Sequence, residues 1–380
     1  MLIFIGTLLI SASLCVNASV EKPQKPKVRG LKEFLSSGHE VITTGLIPAD
    51  EKTRFFVIGD FGSFTKHFGL QKSAQMMEGL ASRKEFSHII TVGDNFYMNG
   101  IPDINQLWHP QSIMEVFNGP HASLLPFYAT LGNHDCYSDY HNEILFSDYN
   151  RQWQMPSDYY ELITPLKDNS GKYFVNLMLN SCKLMCFDDK WAGKYCKKMN
   201  TGSGSEAVLE HYKWLEEKLQ KYSMEDSTAW LAVTLHHPPF LENALKEHFL
   251  PLIRKYKVDF IFTGHQHWAD YANMDPDYIT RFPPEEPQVI NNCSKAKEFL
   301  FIENRDHTFY KGEKLHQILS GNGGTFLRKI CPIKEQDGDL YFRNKGYNGV
   351  VAVEATKEKV TISYHRDVND IVYQVNVINP

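Results

Sequence analysis

The chain has 380 residues, 42% of them hydrophobic and 22% charged, a globular balance that excludes a disordered chain. Its 40 basic and 45 acidic side chains leave a net charge of −5, which speaks against a general nucleic-acid binder. Glycine at 24 and proline at 18 exclude collagen-like and low-complexity classes.

The run from Leu2 to Val16 is apolar or small and uncharged. It falls short of the ~20 residues that a membrane span needs. It reads as a signal peptide over residues 1–18, with Val16 and Ala18 as the small residues before cleavage at Ser19. The expectation is a secreted or lumenal protein with no stable membrane insertion after signal removal. Residues 19–50 carry Lys22, Lys25, Lys27, Arg29 and Lys32 among spaced prolines and read as a solvated N-terminal extension. The remaining residues, 51–380, are taken as one domain.

From Arg54 onward, short apolar runs end in polar punctuation. Phe55 to Ile58 stops at Gly59-Asp60, and Ile89 to Val92 stops at Gly93-Asp94. Phe127 to Leu131 stops at Gly132-Asn133-His134-Asp135. Trp230 to Leu235 stops at His236-His237-Pro238, and Phe260 to Thr263 stops at Gly264-His265. Apolar runs without alternation are what strands buried on both faces look like. Between them, Val208, Tyr212, Leu215, Leu219 and Tyr222 form one helix face with Ser205 as N-cap. Leu245, Phe249, Leu252, Ile253 and Tyr256 form a second stripe, with Pro251 as a kink or start point. An α/β layered fold follows.

Of seven cysteines, Cys15 leaves with the signal. Cys136, Cys182, Cys186, Cys196, Cys293 and Cys331 remain as disulfide candidates, with the pairing open. A thiolate zinc site from Cys182, Cys186 and Cys196 is the alternative, although the spacing matches no common zinc module. Asn292-Cys293-Ser294 is a sequon, so Asn292 is a glycosylation candidate.

Loops beyond the carboxyl ends of strands in α/β sheets form the binding crevice. Asp60, Asp94, Asn133, His236, His265 and His267 are expected to converge there. Carboxylates, an amide and imidazoles make a metal-binding set, and so many ligands suit two ions bridged by Asp94. Each Gly-Asp alone is ordinary turn chemistry; the ordered series of five strand ends is not.

Gly59-Asp60-Phe61-Gly62, Gly93-Asp94-Asn95-Phe96-Tyr97, Gly132-Asn133-His134-Asp135, Val233-Thr234-Leu235-His236 and Gly264-His265-Gln266-His267 resemble the five motifs of purple acid phosphatases. These belong to the calcineurin-like metallophosphoesterase superfamily, and the resemblance is greatest to the mammalian-type, tartrate-resistant group. It implies a metallophosphoesterase β-sandwich flanked by helices, with a dinuclear metal site at the carboxyl ends of the strands. It implies a ferric ion on Asp60, Asp94, Tyr97 and His267. It also implies a divalent iron, zinc or manganese ion on Asp94, Asn133, His236 and His265. The implied activity is hydrolysis of phosphate monoesters by a metal-bound hydroxide, with Asn133 and His134 assisting, on phosphorylated small molecules or phosphoproteins and as a monomer. Alternatives are a phosphodiesterase, nucleotidase or phosphoprotein phosphatase on the same scaffold, or a non-catalytic docking protein.

Three departures from the mammalian-type pattern stand out. Leu245 occupies the place of an active-site histidine, leaving His237 and His248 as substitutes. The stretch between His267 and Gly321 is longer, which reads as a lid or rim that shapes substrate choice, with a decorative insertion as the alternative. The 188–205 segment falls where that group has a regulatory loop, without sharing its residues.

Overall fold

A computed structural model describes residues 41–43, 51–63, 68–187, 196, 205–279, 300–302, 304–327, 337–344 and 346–380. The signal-peptide reading and most of the extension therefore lie outside the described residues, as do Asn292, Cys293 and Cys331.

Two sheets face each other. One has nine strands in the spatial order Val41–Thr43, Tyr160–Pro165, Tyr173–Met178, Thr228–Thr234, Phe260–Thr263, Leu315–Ser320, Ala269–Met274, Asp339–Asn344 and Leu300–Ile302. The other has eight: Asp306–Tyr310, Asp370–Ile378, Lys359–Asp367, Val350–Ala355, Thr53–Ile58, His88–Val92, Phe127–Thr130 and Trp153–Gln154. Each sheet carries a parallel centre: Thr53–Ile58, His88–Val92 and Phe127–Thr130 in one, Tyr173–Met178 through Leu315–Ser320 in the other.

Every residue of Thr53–Ile58, His88–Val92 and Phe127–Thr130 is buried, as unalternated apolar strands require. Side chains leave a strand on alternating faces. Phe55 accordingly meets Phe174 and Phe262 of the opposite sheet, with ring centres 5.2 and 6.2 Å apart. Its neighbour Phe56 stacks on Phe86 at 3.8 Å. A second apolar cluster lies between the nine-stranded sheet and the outer helices. There Glu206–Met224 buries Val208, Tyr212, Leu215, Leu219 and Tyr222, the stripe read from the sequence. Ser205 precedes it with extended backbone but makes no side-chain cap hydrogen bond.

The second stripe is split. Asn243–Lys246 and Phe249–Lys255 are separate short helices, and Pro251 falls in the first turn of the latter. A proline there costs nothing, because the first-turn N–H groups have no partner within the helix. Among the described residues, no helix is long and apolar enough to cross a membrane.

Register sets the site. Parallel pairing puts Ile58 opposite Thr91 and Val92 opposite Thr130 in one sheet, and Thr234 opposite Phe262 in the other. The carboxyl ends of five strands therefore finish at one level. The two sheets are tied there, because His236 donates from Nδ1 to the Val92 carbonyl, 2.8 Å away.

Candidate metal centre

The five loops turn sharply as they leave their strands. Asp60, Asp94 and His265 all have left-handed backbone, with φ of 54°, 52° and 71°. Such strain in non-glycine residues persists where surrounding structure imposes it, and it concentrates at functional sites. Gly93 is also left-handed, at φ 87°. A Cβ there would lie 2.7 Å from His236 Nδ1 and 2.6 Å from the Gly132 nitrogen, so no larger residue fits between the loops.

Backbone carbonyls aim the imidazoles. His267 donates from Nδ1 to Phe326 O at 2.8 Å, turning Nε2 toward the Tyr97 hydroxyl (3.2 Å) and Asp60 Oδ1 (3.3 Å). Because its Nδ1 is committed to Val92, His236 turns Nε2 toward Asn133 Oδ1 (3.2 Å) and Asp94 Oδ1 (3.4 Å). His265 Nδ1 stands 2.8 Å from Asn133 Oδ1 and 3.2 Å from His236 Nε2.

Two donor groups result. Asp60 Oδ1, Asp94 Oδ2, the Tyr97 hydroxyl and His267 Nε2 form one; Asp94 Oδ1, Asn133 Oδ1, His236 Nε2 and His265 Nδ1 form the other. Asp94 belongs to both through different oxygens. All seven side chains expected to meet do so. They are almost entirely buried, and His265 and His267 show the most surface, about a tenth each.

The electrostatics describe a site built for positive charge. Burial opposes ionisation of Asp94, yet the charge and hydrogen bond of His236, with help from His134, hold its carboxyl well below the usual carboxylate range. His236 is pushed up to about 9, since Asp94 outweighs the effect of burial. Burial and the charges of Asp94 and Asp60 push the Tyr97 phenol well above its usual value. Among the described residues, the ion pairs of Asp60 and Asp94 are with histidines. Two buried carboxylates, an amide oxygen, a phenol and three imidazoles at 2.8–3.4 Å spacing are a donor set that fits two cations.

The chain shows its kinship in the same segment. The calcineurin-like phosphoesterase family matches residues 53–269. The chain belongs to that family. Among its relatives, tartrate-resistant acid phosphatase type 5 of Sus scrofa is 23% identical over 228 residues, which cover 57% of this chain and 65% of that protein. The Homo sapiens enzyme of the same name is 24% identical over 245 residues, 60% of this chain and 70% of that one. Purple acid phosphatase 3 of Arabidopsis thaliana is 24% identical, covering 59% and 60%. The match thus spans 60–70% of the length of these relatives. Among solved structures, purple acid phosphatase PPD1 from yellow lupin seeds superposes with a TM-score of 0.56 at 16% identity, over 88% of this chain and 55% of that one. GAP50, the anchor in the inner membrane complex of Plasmodium, superposes at 0.60 and 16% identity over 86% and 88%. Both neighbours share the metallophosphoesterase fold.

Around the donor groups, His134 lies half-buried at the mouth. Its backbone N–H donates to Asp94 Oδ1 (2.9 Å), its Nδ1 to Met98 O (2.7 Å), and its ring lies 4.4 Å from that of Tyr97. His237 is buried beside His236 and His265, with Nδ1 2.8 Å from the Ser181 hydroxyl. Burial, then the His236 charge, keeps it well below the usual histidine range. His248 is not brought to the site. It packs on Phe187, 4.2 Å away, which in turn meets Tyr212 of the outer helix. Leu245, at the departure from the mammalian-type pattern, is fully buried in the apolar cluster of that layer.

The four described cysteines are structural. Cys136 bonds Cys182, and Cys186 bonds Cys196. This corrects the alternative of a thiolate zinc site, since those three sulfurs are spent in disulfides. The first bond ties the Asn133 loop to Ser181–Leu184, the helix that presents Ser181 to His237.

Sequence reasoning missed the supports. Asp135 accepts from the backbone N–H groups of Asn95, Phe96 and Gly132, joining two ligand loops through one carboxylate. Glu143 lies against it, fully buried. Asp135 stands inside a quoted motif, so its neighbours were the available signal; Glu143 had none. Glu242, at the rim, comes within 3.8 Å of His265 Nε2.

Proposed function

We propose that this chain is an acid phosphatase that hydrolyses phosphate monoesters at an Fe(III)–M(II) centre. The observation that carries it is Asp94, whose two oxygens face two separate donor groups, one of which contains a phenol. Asp60, Asp94, Tyr97 and His267 would hold the ferric ion; Asp94, Asn133, His236 and His265 would hold a divalent one. When bound, the two cations supply Lewis acidity toward a phosphoryl oxygen and acidify a water molecule.

The chain's own residues supply placement. Asn133 is held between His236 and His265, so its carboxamide fixes the edge of the divalent site nearest the mouth. With Nδ1 bound to Met98 O, His134 has Nε2 to hold a phosphoryl oxygen or to pass a proton to the departing alkoxide. The donor side chains are buried, with surface showing mainly at His134, His265 and His267, and electrostatic interactions are strongest in the interior behind them. The monoester preference follows from charge, because the acidic members would hold two cations. A dianionic group needs two positive centres opposite it, and this donor set gathers two.

Purified protein should contain two metal ions per chain, show visible absorption, and cleave 4-nitrophenyl phosphate faster than bis(4-nitrophenyl) phosphate. Asp94→Asn should abolish that cleavage. Metal-free protein with full activity, or equal activity of Asp94→Asn, would overturn the proposal.

A further inference from the structure

The divalent donor group has a neighbour that it has not used. His237 follows a ligand candidate directly, and its side chain turns back into the site rather than away. Its ring centre lies 4.6 Å from that of His265 and 5.0 Å from that of His236. One ligand atom from each of His236, His237 and His265 can be chosen so that all three lie within 4.8 Å of one another. Two atoms bonded to one ion at ~2.1 Å stand at most ~4.2 Å apart. Three donors around a tetrahedral ion stand nearer ~3.4 Å apart, so the triad would close by roughly an ångström to surround a cation.

The orientation is held from behind. The Ser181 hydroxyl is 2.8 Å from His237 Nδ1 and accepts the His237 backbone N–H at 3.2 Å. Metal-binding imidazoles commonly engage one ring nitrogen with such a partner and ligate with the other. Ser181 is itself placed by the next residue, Cys182, whose disulfide leads back to Cys136 in the Asn133 loop. A role as leaving-group acid fits His237 poorly, because it is 1% exposed and lies beneath the mouth rather than at it.

We propose that His237 is a third imidazole ligand of the divalent site, and that the site it completes selects zinc. The inference rests on the two-cation reading above. Its chemistry follows from the count of nitrogens. Imidazole donors suit zinc, whereas carboxylate and carbonyl oxygens suit manganese and magnesium. Three imidazoles beside Asp94 and Asn133 move the balance to the nitrogen side.

The test is a structure of the full chain with zinc added, joined to metal affinities measured by chelator competition. The expected result is a His237 nitrogen ~2.0–2.1 Å from the zinc. His237→Phe should weaken zinc binding by more than the ~10–100-fold that loss of an outer-shell partner costs, and should weaken manganese binding less. Zinc held by Asp94, Asn133, His236 and His265 with His237 more than about 3 Å away would overturn this inference and leave the two-cation reading standing. Protein that binds no zinc or other divalent ion at these residues would overturn both. The wild-type structure gives its answer even if His237→Phe does not fold.

Discussion

Glu143 and Asp135 stand side by side in the interior, two carboxyl groups sharing a proton beneath the loops that carry Asp94 and Asn133. Burial raises both; the Asp94 charge raises Asp135 further while the Glu143 hydrogen bond lowers it, and the charge and hydrogen bond of Asp135 raise Glu143, so that Asp135 reaches about 6 and Glu143 lies well above its usual value. Near neutral pH, Glu143 therefore keeps the proton and donates a hydrogen bond to the Asp135 carboxylate. That leaves Asp135 as the anion, able to accept three backbone N–H groups from two loops.

The two carboxyl groups should respond differently to amide substitution. Asp135→Asn replaces one of two acceptor oxygens by a donor facing backbone N–H groups, and should cost ~1–3 kcal/mol. Glu143→Gln retains a donor toward Asp135 and should cost less than ~1 kcal/mol. Urea midpoints of both variants at pH 7 check this. A larger loss for Glu143→Gln than for Asp135→Asn would place the proton on Asp135 instead.

Tyr97 is the residue that should report on the proposed ferric site. Its hydroxyl is 2.9 Å from Asp94 Oδ2 and 3.2 Å from His267 Nε2. Burial, then the surrounding anions, keeps the phenol protonated, so a strongly charged cation is needed to draw the proton off. Tyr97→Phe should lose the visible absorption of the iron-loaded protein while its divalent content, measured by elemental analysis, stays near one per chain. A variant that keeps the absorption would remove Tyr97 from the ligand set.

Much of this centre was legible in the sequence because a buried parallel strand and its ligand are written consecutively. Ile89 to Val92 followed by Gly93-Asp94 states both the element and the place where a carboxylate must emerge. Partners across the fold are not written that way. Glu143 sits on a short helix of mixed composition and looks like a surface residue; in the fold it is buried, and its carboxyl group accepts from Asn95, 48 positions earlier. The strands Val350–Ala355, Lys359–Asp367 and Asp370–Ile378 went unread for a related reason. They continue the sheet by antiparallel pairing, and none ends in a glycine followed by Asp, Asn or His, so the signal that marked most of the other five is absent from them. The split of the 245–256 stripe was likewise hidden, because two short helices lying in line present the same apolar face as one.

Acid should weaken the fold through His316. It is fully buried, with Nδ1 2.7 Å from the Tyr271 hydroxyl. Burial, then the charge of Lys314, lowers it to about 3 from an ordinary 6.5. Between those values the unfolded chain binds a proton that the folded chain does not. Stability conferred by neutral His316 is thus present above pH 6.5 and is lost as pH falls toward 3, at ~1.4 kcal/mol per pH unit. His316→Gln removes that dependence. The stability gap between wild type and variant should narrow by ~2 kcal/mol between pH 7 and pH 5 in urea titrations. A gap that stays constant would mean that His316 takes up its proton in the folded state.

The strand that follows His267 is anchored by a buried ion pair, and its loss should be felt at the metal centre. Asp270 and Arg343 are register partners on adjacent strands, both fully buried. Asp270 Oδ2 accepts from Arg343 Nε (3.0 Å) and Nη2 (2.6 Å) and from Trp268 Nε1 (3.0 Å). The guanidinium also lies over the Trp268 ring at 5.1 Å. Arg343→Met strands a buried carboxylate and should cost ~3–5 kcal/mol. Adding Asp270→Asn removes the stranded charge while preserving an acceptor for Trp268, so the double variant should be more stable than Arg343→Met alone. A double-mutant cycle in urea measures that coupling, and strictly additive losses would disprove it. Because Trp268 is the residue after His267, Arg343→Met should also release metal from the Tyr97 side of the centre before the other side, which the visible absorption of iron-loaded protein would register during partial unfolding.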